Sequence, residues 1–141
     1  MRLALVSLGG IDIINDSYNS NPLSMKTAVE AMMQRPARAR WVVSADMLEL
    51  GSSSAKFHRM IGKMIASAGI EGLLTFGDMS RHTLSGALGA GMDEENLWHC
   101  ATHDEIVDIL REVVQDGDLV LVKGSRSMRM EKVVEKLMER R

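Results

Sequence analysis

The chain has 141 residues and a formal net charge of −2, with 45% hydrophobic and 26% charged residues. That balance suits one globular domain with a real core. It excludes the basic footprint of a nucleic-acid binder or of a protein held on anionic lipid.

The first predicted elements form a hairpin. An apolar run, Leu3 to Leu8, meets Gly9-Gly10 and continues as Ile11 to Ile14, the pattern of two strands around a tight glycine turn. The polar stretch N-D-S-Y-N-S-N-P (15–22) follows. Met25, Ala28, Val29, Met32 and Met33 then recur at helical spacing. Asn21 is placed to cap this helix, and Pro22 sits at its first position, where a missing N–H costs nothing. R-W-V-V-S-A (40–45) reads as a short buried strand. The next helix would turn Phe57, Met60, Ile61, Met64 and Ile65 inward, with Ser53 or Ser54 as cap and Gly69 as stop. G-L-L-T-F-G (72–77) is another strand, and a glycine-weakened helix spans roughly 80–90. L-W-H-C (97–100) is strand-like. T-H-D-E (102–105) is a capping-box pattern opening a helix with Ile106, Ile109, Leu110, Val113 and Val114 inward. D-L-V-L-V-K (118–123) is the clearest buried strand, and a final helix carries Met130, Val133, Val134, Leu137 and Met138.

Strand and helix alternate, so the fold class is α/β. The expected architecture is three-layer and Rossmann-like, a mainly parallel sheet with helices on both faces and an antiparallel edge strand from the leading hairpin. No repeat or linker divides the chain, which reads as a single domain over 1–141. Ligands of such sheets bind beyond the carboxyl ends of the strands. Three polar stretches follow strands: 15–22, A-D-M-L-E-L-G-S-S-S-A-K-F-H (45–58) and K-G-S-R-S-M-R-M-E (123–131). They should share one edge.

Each stretch has two readings. Asp16 could accept from paired ribose hydroxyls, Tyr18 offers a face to a base, and Asn19 and Asn21 could read an amide-like edge. The same residues also suit an Asx-rich loop that satisfies its own backbone. Asp46 and Glu49 could hold a metal or a cationic group, or be loop acids near a helix N-terminus. His58 sits early in a helix beside Phe57, where a lone His is more often a satisfied packing residue than an acid or base. Lys123, Arg126 and the free N–H groups around them suit a phosphate or carboxylate. Alternatively, Ser125 or Ser127 caps the helix while Arg126 and Arg129 stay in solvent.

A single cysteine, Cys100, excludes an internal disulfide framework and a cysteine-rich zinc site, and fits a reducing compartment. His82, His99 and His103 lack ligand spacing, so no metal site is assigned. The twelve methionines are dispersed at core-like spacings and read as gap-filling core residues. No apolar run reaches the about eighteen residues of a membrane span, and the N-terminus lacks a signal layout. The expected location is the cytoplasm, with neither nucleic acid nor membrane as partner. G-x-x-x-x-G-K-[ST] is absent, as are G-x-G-x-x-G after the first strand and a G-x-S-x-G elbow.

Three motifs in order are nonetheless distinctive: D-S-Y-N-S-N-P-L-S-M-K-T-A-V-E-A-M, A-D-M-L-E-L-G with His58 and Gly62 after it, and V-K-G-S-R-S-M-R-M-E-K-V-V-E-K-L. From about Arg2 to Leu137 the chain resembles the C-terminal domain of the Mur ligases. The D-S-Y-N-x-N-P form is that of the branch that joins D-alanyl-D-alanine to UDP-N-acetylmuramoyl-tripeptide in peptidoglycan synthesis. The resemblance implies ATP and Mg2+ as cofactors. ATP phosphorylates the tripeptide carboxylate, and the amine of D-alanyl-D-alanine attacks the acyl phosphate.

By motif, the resemblance would put Asp16 on the ATP ribose, Asn19 and Asn21 near the adenine or ribose, and Tyr18 along the pocket. Asp46, Glu49 and His58 would shape the edge facing the other domains. Lys123, Ser125 and Arg126 would lie toward the amino substrate. Ala45 departs from the glycine common in the family. The phosphate loop, the magnesium ligands and a carbamylated lysine belong, in the family, to a central domain, and the nucleotide sugar is gripped by an N-terminal one. Neither is present, and the chain starts abruptly within a strand. A separately expressed domain or a fragment without ligase activity of its own is therefore expected. The competing expectation is a non-catalytic α/β module that binds a nucleotide or a protein.

Overall fold

The first turn of the chain sets the edge of the sheet. In the computed structural model, which describes residues 4–139, strands β1 (Ala4–Leu8) and β2 (Ile11–Asp16) pair antiparallel with Leu8 opposite Ile11. The two residues between them, Gly9 and Gly10, have φ of 55° and 91°, the left-handed pair that a two-residue hairpin requires. The expected start of the first strand at Leu3, and that of the resemblance at Arg2, lie outside the described residues.

Four further strands complete a sheet of order β1-β2-β6-β3-β4-β5: β3 (Arg40–Ala45), β4 (Gly72–Phe76), β5 (Leu97–Cys100) and β6 (Leu119–Lys123). All pairings except β1 with β2 are parallel. The chain steps outward through β2, β3, β4 and β5, then returns to insert β6 between β2 and β3.

The helices divide accordingly. α1 (Pro22–Met33), α2 (Ser54–Ser67) and α3 (Ser80–Gly89) follow the outward steps, and they cover one face of the sheet. There Met25, Val29, Met32, Ile61, Ile65 and Ala87 pack on Ile14, Val42, Leu73 and Leu121. α4 (His103–Val113) and α5 (Glu131–Met138) cover the other face, where Ile106, Leu110, Val133 and Val134 meet Ile13, Val43, Val120 and Val122. Strand residues alternate between the two cores, as the pleat demands, and the central strands are apolar on both faces.

The expected caps of α1 and α4 are in place. Ser24 N donates to Asn21 Oδ1 at 2.8 Å while Asn21 N donates to Ser24 Oγ at 2.9 Å. Glu105 N donates to Thr102 Oγ1 at 3.1 Å. The face of α2 differs from expectation. His58, Ile61, Gly62 and Ile65 are buried, while Met60 is exposed. Close packing of α3 on α2 causes this rotation: a Cβ on Gly62 would lie 2.0 Å from the Thr83 carbonyl oxygen, and one on Gly86 2.2 Å from that of Arg59. Both glycines are there because two backbones touch. The end of α5 also differs, since Met138 is exposed. Among the described residues no helix is long and apolar enough to cross a membrane.

Candidate functional site

β6 is flanked by β2 and β3, and the helices that follow those two strands lie on the face opposite the helix that follows β6. Loops diverge to opposite faces at such a switch point and leave a crevice at the carboxyl ends of the strands. The crevice here is a cleft of about 750 Å³. All three polar stretches reach it, through Tyr18 and Asn19, through Glu49, and through Ser125, Arg126 and Arg129. The shared edge expected from the sequence is present.

The wall of the cleft mixes an aromatic face with both signs of charge. Tyr18 is 61% exposed, and the Arg126 guanidinium lies 5.5 Å from its ring centroid. Glu49 and Arg129 have φ of 62° and 54°, an uncommon conformation for side chains of this kind. Each sits where its loop bends into the cleft. Arg129 also ends a short 3-10 turn, Arg126–Met128, so α5 begins only at Glu131. Neither Ser125 nor Ser127 caps α5. Ser125 Oγ instead donates to the Asp46 carbonyl oxygen at 3.4 Å, tying the third loop to the second.

Other expected site residues stand behind this wall. Asp16 and Lys123 are adjacent in register on β2 and β6. Both are buried, with Lys123 Nζ 3.1 Å from Asp16 Oδ2 and donating to the Asn19 carbonyl oxygen. Among the described residues, both Asp16 carboxylate oxygens and Ser20 Oγ are buried without hydrogen-bond partners. Burial pushes the Asp16 carboxyl above its ordinary value, with the ammonium opposing. Burial likewise holds the Lys123 amine below its own, with the carboxylate opposing. Lys123, read from sequence as facing an anionic substrate, faces Asp16 and Asn19 instead. Asn21 caps α1.

Asp46 and His58 organise the second loop from inside. Asp46 accepts from Ser80 N at 2.7 Å, Ser80 Oγ at 2.7 Å and Met79 N at 3.2 Å. It therefore caps α3 from another strand, at the end of the helix dipole that favours negative charge. Met47 N donates to His58 Nε2 at 3.0 Å, which puts the ring proton on Nδ1, 2.7 Å from the Ser54 carbonyl oxygen. His58 thus fixes the loop that carries Glu49 without reaching the cleft.

A second cleft of about 580 Å³ lies along the same edge, lined by Asp46, Asp78, Arg81, His99 and Glu105 among others. Burial, reinforced by Arg81, lowers the His99 pKa. Cys100, also on this cleft, is pushed up to about 12 by burial, which leaves it an inert thiol near neutrality.

A model of the family described as Mur ligase, glutamate ligase domain matches residues 1–126. The chain belongs to this family. Its relatives include the UDP-N-acetylmuramoyl-tripeptide–D-alanyl-D-alanine ligase of Bacillus subtilis, 33% identical over 99% of this chain and 31% of that protein. The Escherichia coli protein of the same name is 36% identical over 90% of this chain and 27% of its own length. The Mur ligase fold is equally clear in three dimensions. MurF from Acinetobacter baumannii superimposes with a TM-score of 0.84 at 28% identity, covering 99% of this chain and 30% of that one. The MurF ligase of Thermotoga maritima in complex with ADP gives 0.81 at 26% identity, covering 97% and 30%. The chain thus spans about a third of the length of the curated relatives it matches, or less.

Ser20 and Arg129 also line the cleft, although one reading of the sequence leaves Arg129 in solvent. No local signal marks Ser20, and only the left-handed backbone at Arg129 turns it into the cleft.

Proposed function

We propose that this chain is the C-terminal domain of an ATP-dependent peptide ligase that joins D-alanyl-D-alanine to UDP-N-acetylmuramoyl-tripeptide. It works in the cytoplasm with an N-terminal and a central ATPase domain and is inactive without them. One observation carries the reading: the D-S-Y-N, D-M-L-E and K-G-S-R loops converge on one cleft at the switch point of the sheet. The MurF ligase complexed with ADP, which shares this fold, supports the nucleotide part.

Tyr18 and Asn19 are the nucleotide wall, and Tyr18 supplies the flat apolar face that a base stacks on. Beneath them Asp16, whose carboxylate has no hydrogen-bond partner among the described residues, is the acceptor for a sugar hydroxyl. Arg126 and Arg129 are donors for a phosphate or carboxylate. Glu49 faces the ammonium of the amino substrate. Magnesium would neutralise charge on the transferring phosphoryl group. The family resemblance puts its ligands on the central domain. A closed site needs donors on both sides of that group, and this chain supplies one side.

The test joins this chain to the N-terminal and central domains of the B. subtilis relative. Phosphate release is then measured with and without D-alanyl-D-alanine. The expected result is release that depends on the dipeptide and falls about tenfold or more with Arg126→Ala. A parallel titration of the chain with ADP should shift amides at 17–20 and 125–129. An inactive hybrid with no shifts at millimolar ADP overturns the reading. An inactive hybrid with shifts leaves a nucleotide-binding module.

A further inference from the structure

The ligase reading leaves Lys123 without a role, yet it is among the most buried side chains of the molecule, at 0% exposed. Earlier positions on the same face of the two strands, Ile14 and Leu121, are apolar core residues. An apolar residue at 123 would continue that pattern. A buried ion pair is a poor device for stability, because apolar residues of similar volume often serve as well or better.

The ammonium can do something an apolar side chain cannot, which is to hold oxygens in two directions. Along the sheet it engages Asp16 Oδ2. Outward it engages the main-chain carbonyl of Asn19, in the loop that lines the cleft. Asp16 Oδ2 is thereby ion-paired, while neither carboxylate oxygen has a hydrogen-bond partner among the described residues. One more bond runs alongside, from Gly124 N to the Asp16 carbonyl oxygen at 3.3 Å. Gly124 itself admits no side chain, since a Cβ there would lie 2.5 Å from Met130 Cγ. The strut therefore rises from a tightly packed base.

From this geometry we infer that Lys123 is a positioning residue: from β6 it fixes the 17–20 loop and the orientation of the Asp16 carboxylate, and so sets the wall against which a nucleoside diphosphate binds. Its functional half rests on the nucleotide reading of the cleft, and its structural half does not.

The test compares Lys123→Met and Lys123→Gln in the whole chain by amide hydrogen exchange, thermal unfolding and ADP titration. Lys123→Met is expected to speed exchange at residues 17–20 about tenfold or more while amides of β4 and α4 keep their rates. ADP should bind about tenfold more weakly. Lys123→Gln keeps an N–H donor and should recover part of both effects. Exchange that rises equally everywhere, ADP affinity that does not change, or failure of both variants to fold would each reduce Lys123 to a structural part and overturn the inference. A wild-type chain that ignores millimolar ADP would sink the nucleotide reading instead, and the strut would then stand or fall on the exchange pattern of the loop.

Discussion

Two buried aspartates stand at opposite ends of the parallel strands, and they are finished very differently. Asp118, just before β6, is 2% exposed. Its carboxylate accepts from Arg38 Nε at 2.7 Å and Nη2 at 3.0 Å, from Trp41 Nε1 at 2.9 Å and from Gln115 N at 2.9 Å. Asp16, at the carboxyl end of β2, is 1% exposed. It has one ammonium at 3.1 Å and, among the described residues, no hydrogen bond to either oxygen. Buried polar groups are almost always satisfied, and exceptions need a reason. The amino-terminal end of the sheet is complete in this chain, whereas the carboxyl-terminal end leaves an acceptor for something else. On the proposed reading, that contrast marks the site more sharply than either cleft volume does.

The largest effect expected from breaking the comparison is at the finished end. Asp118→Ala strands a buried indole N–H and a main-chain N–H and frees Arg38, so it should cost about 3 kcal/mol of unfolding free energy. A shift of the urea midpoint at unchanged slope would show it. A loss below about 1 kcal/mol would mean that water replaces the carboxylate, and that Asp118 is no better satisfied than Asp16.

A smaller effect is expected where the ligand end is anchored. Asn21→Ala removes the acceptor for Ser24 N but leaves the reciprocal bond from Asn21 N to Ser24 Oγ. It should cost about 1 kcal/mol. ADP affinity, measured on the same variant, should change less than with Lys123→Met, because Asn21 holds the helix and Lys123 holds the loop. An equal loss of affinity would place the anchor of the nucleotide wall on α1.

The sequence was most informative where the physics is local. The glycine hairpin, the Asn21 and Thr102 caps and the strand runs need only neighbours to define them, and all appear where expected. The convergence of three loops was also legible, because parallel strands place their carboxyl ends together whatever their order. Partners distant in sequence were not legible. Lys123 reads as the basic end of a strand until β6 is known to insert beside β2, which puts Asp16 opposite it. Asp46 reads as a loop acid until α3, more than 30 residues on, brings Ser80 N to 2.7 Å. His58 reads as a cleft candidate until Gly62 and Gly86 draw α3 against α2 and rotate its face inward. Asp118 and Trp41 carried no signal as a pair at all.

The finest expected difference between the two aspartates is in their pH dependence. Burial raises the Asp118 pKa, but Arg38, the Gln115 N–H and Trp41 outweigh it and hold the value below the ordinary 3.8. Its stabilisation is therefore fully present above pH 3.8 and is lost as pH falls through the folded value. Asp16 runs the other way. Its folded value lies above 3.8, so the fold binds that proton more tightly than the unfolded chain does, and stability declines as pH rises from 3.8 through the folded value. Lys123, lowered from 10.5, returns stability as pH rises from its folded value toward 10.5. Urea unfolding across the pH range separates these signs. Asp118→Asn should flatten the acid limb below pH 3.8. Asp16→Asn with Lys123→Met, a neutral pair of similar size, should keep stability within about 1 kcal/mol of wild type and flatten the other two windows while leaving the acid limb intact. If the double variant instead loses the acid limb, or loses as much stability as Asp118→Ala, then the pair at the ligand end is a structural cornerstone, and the asymmetry between the two ends of the sheet does not mark the site.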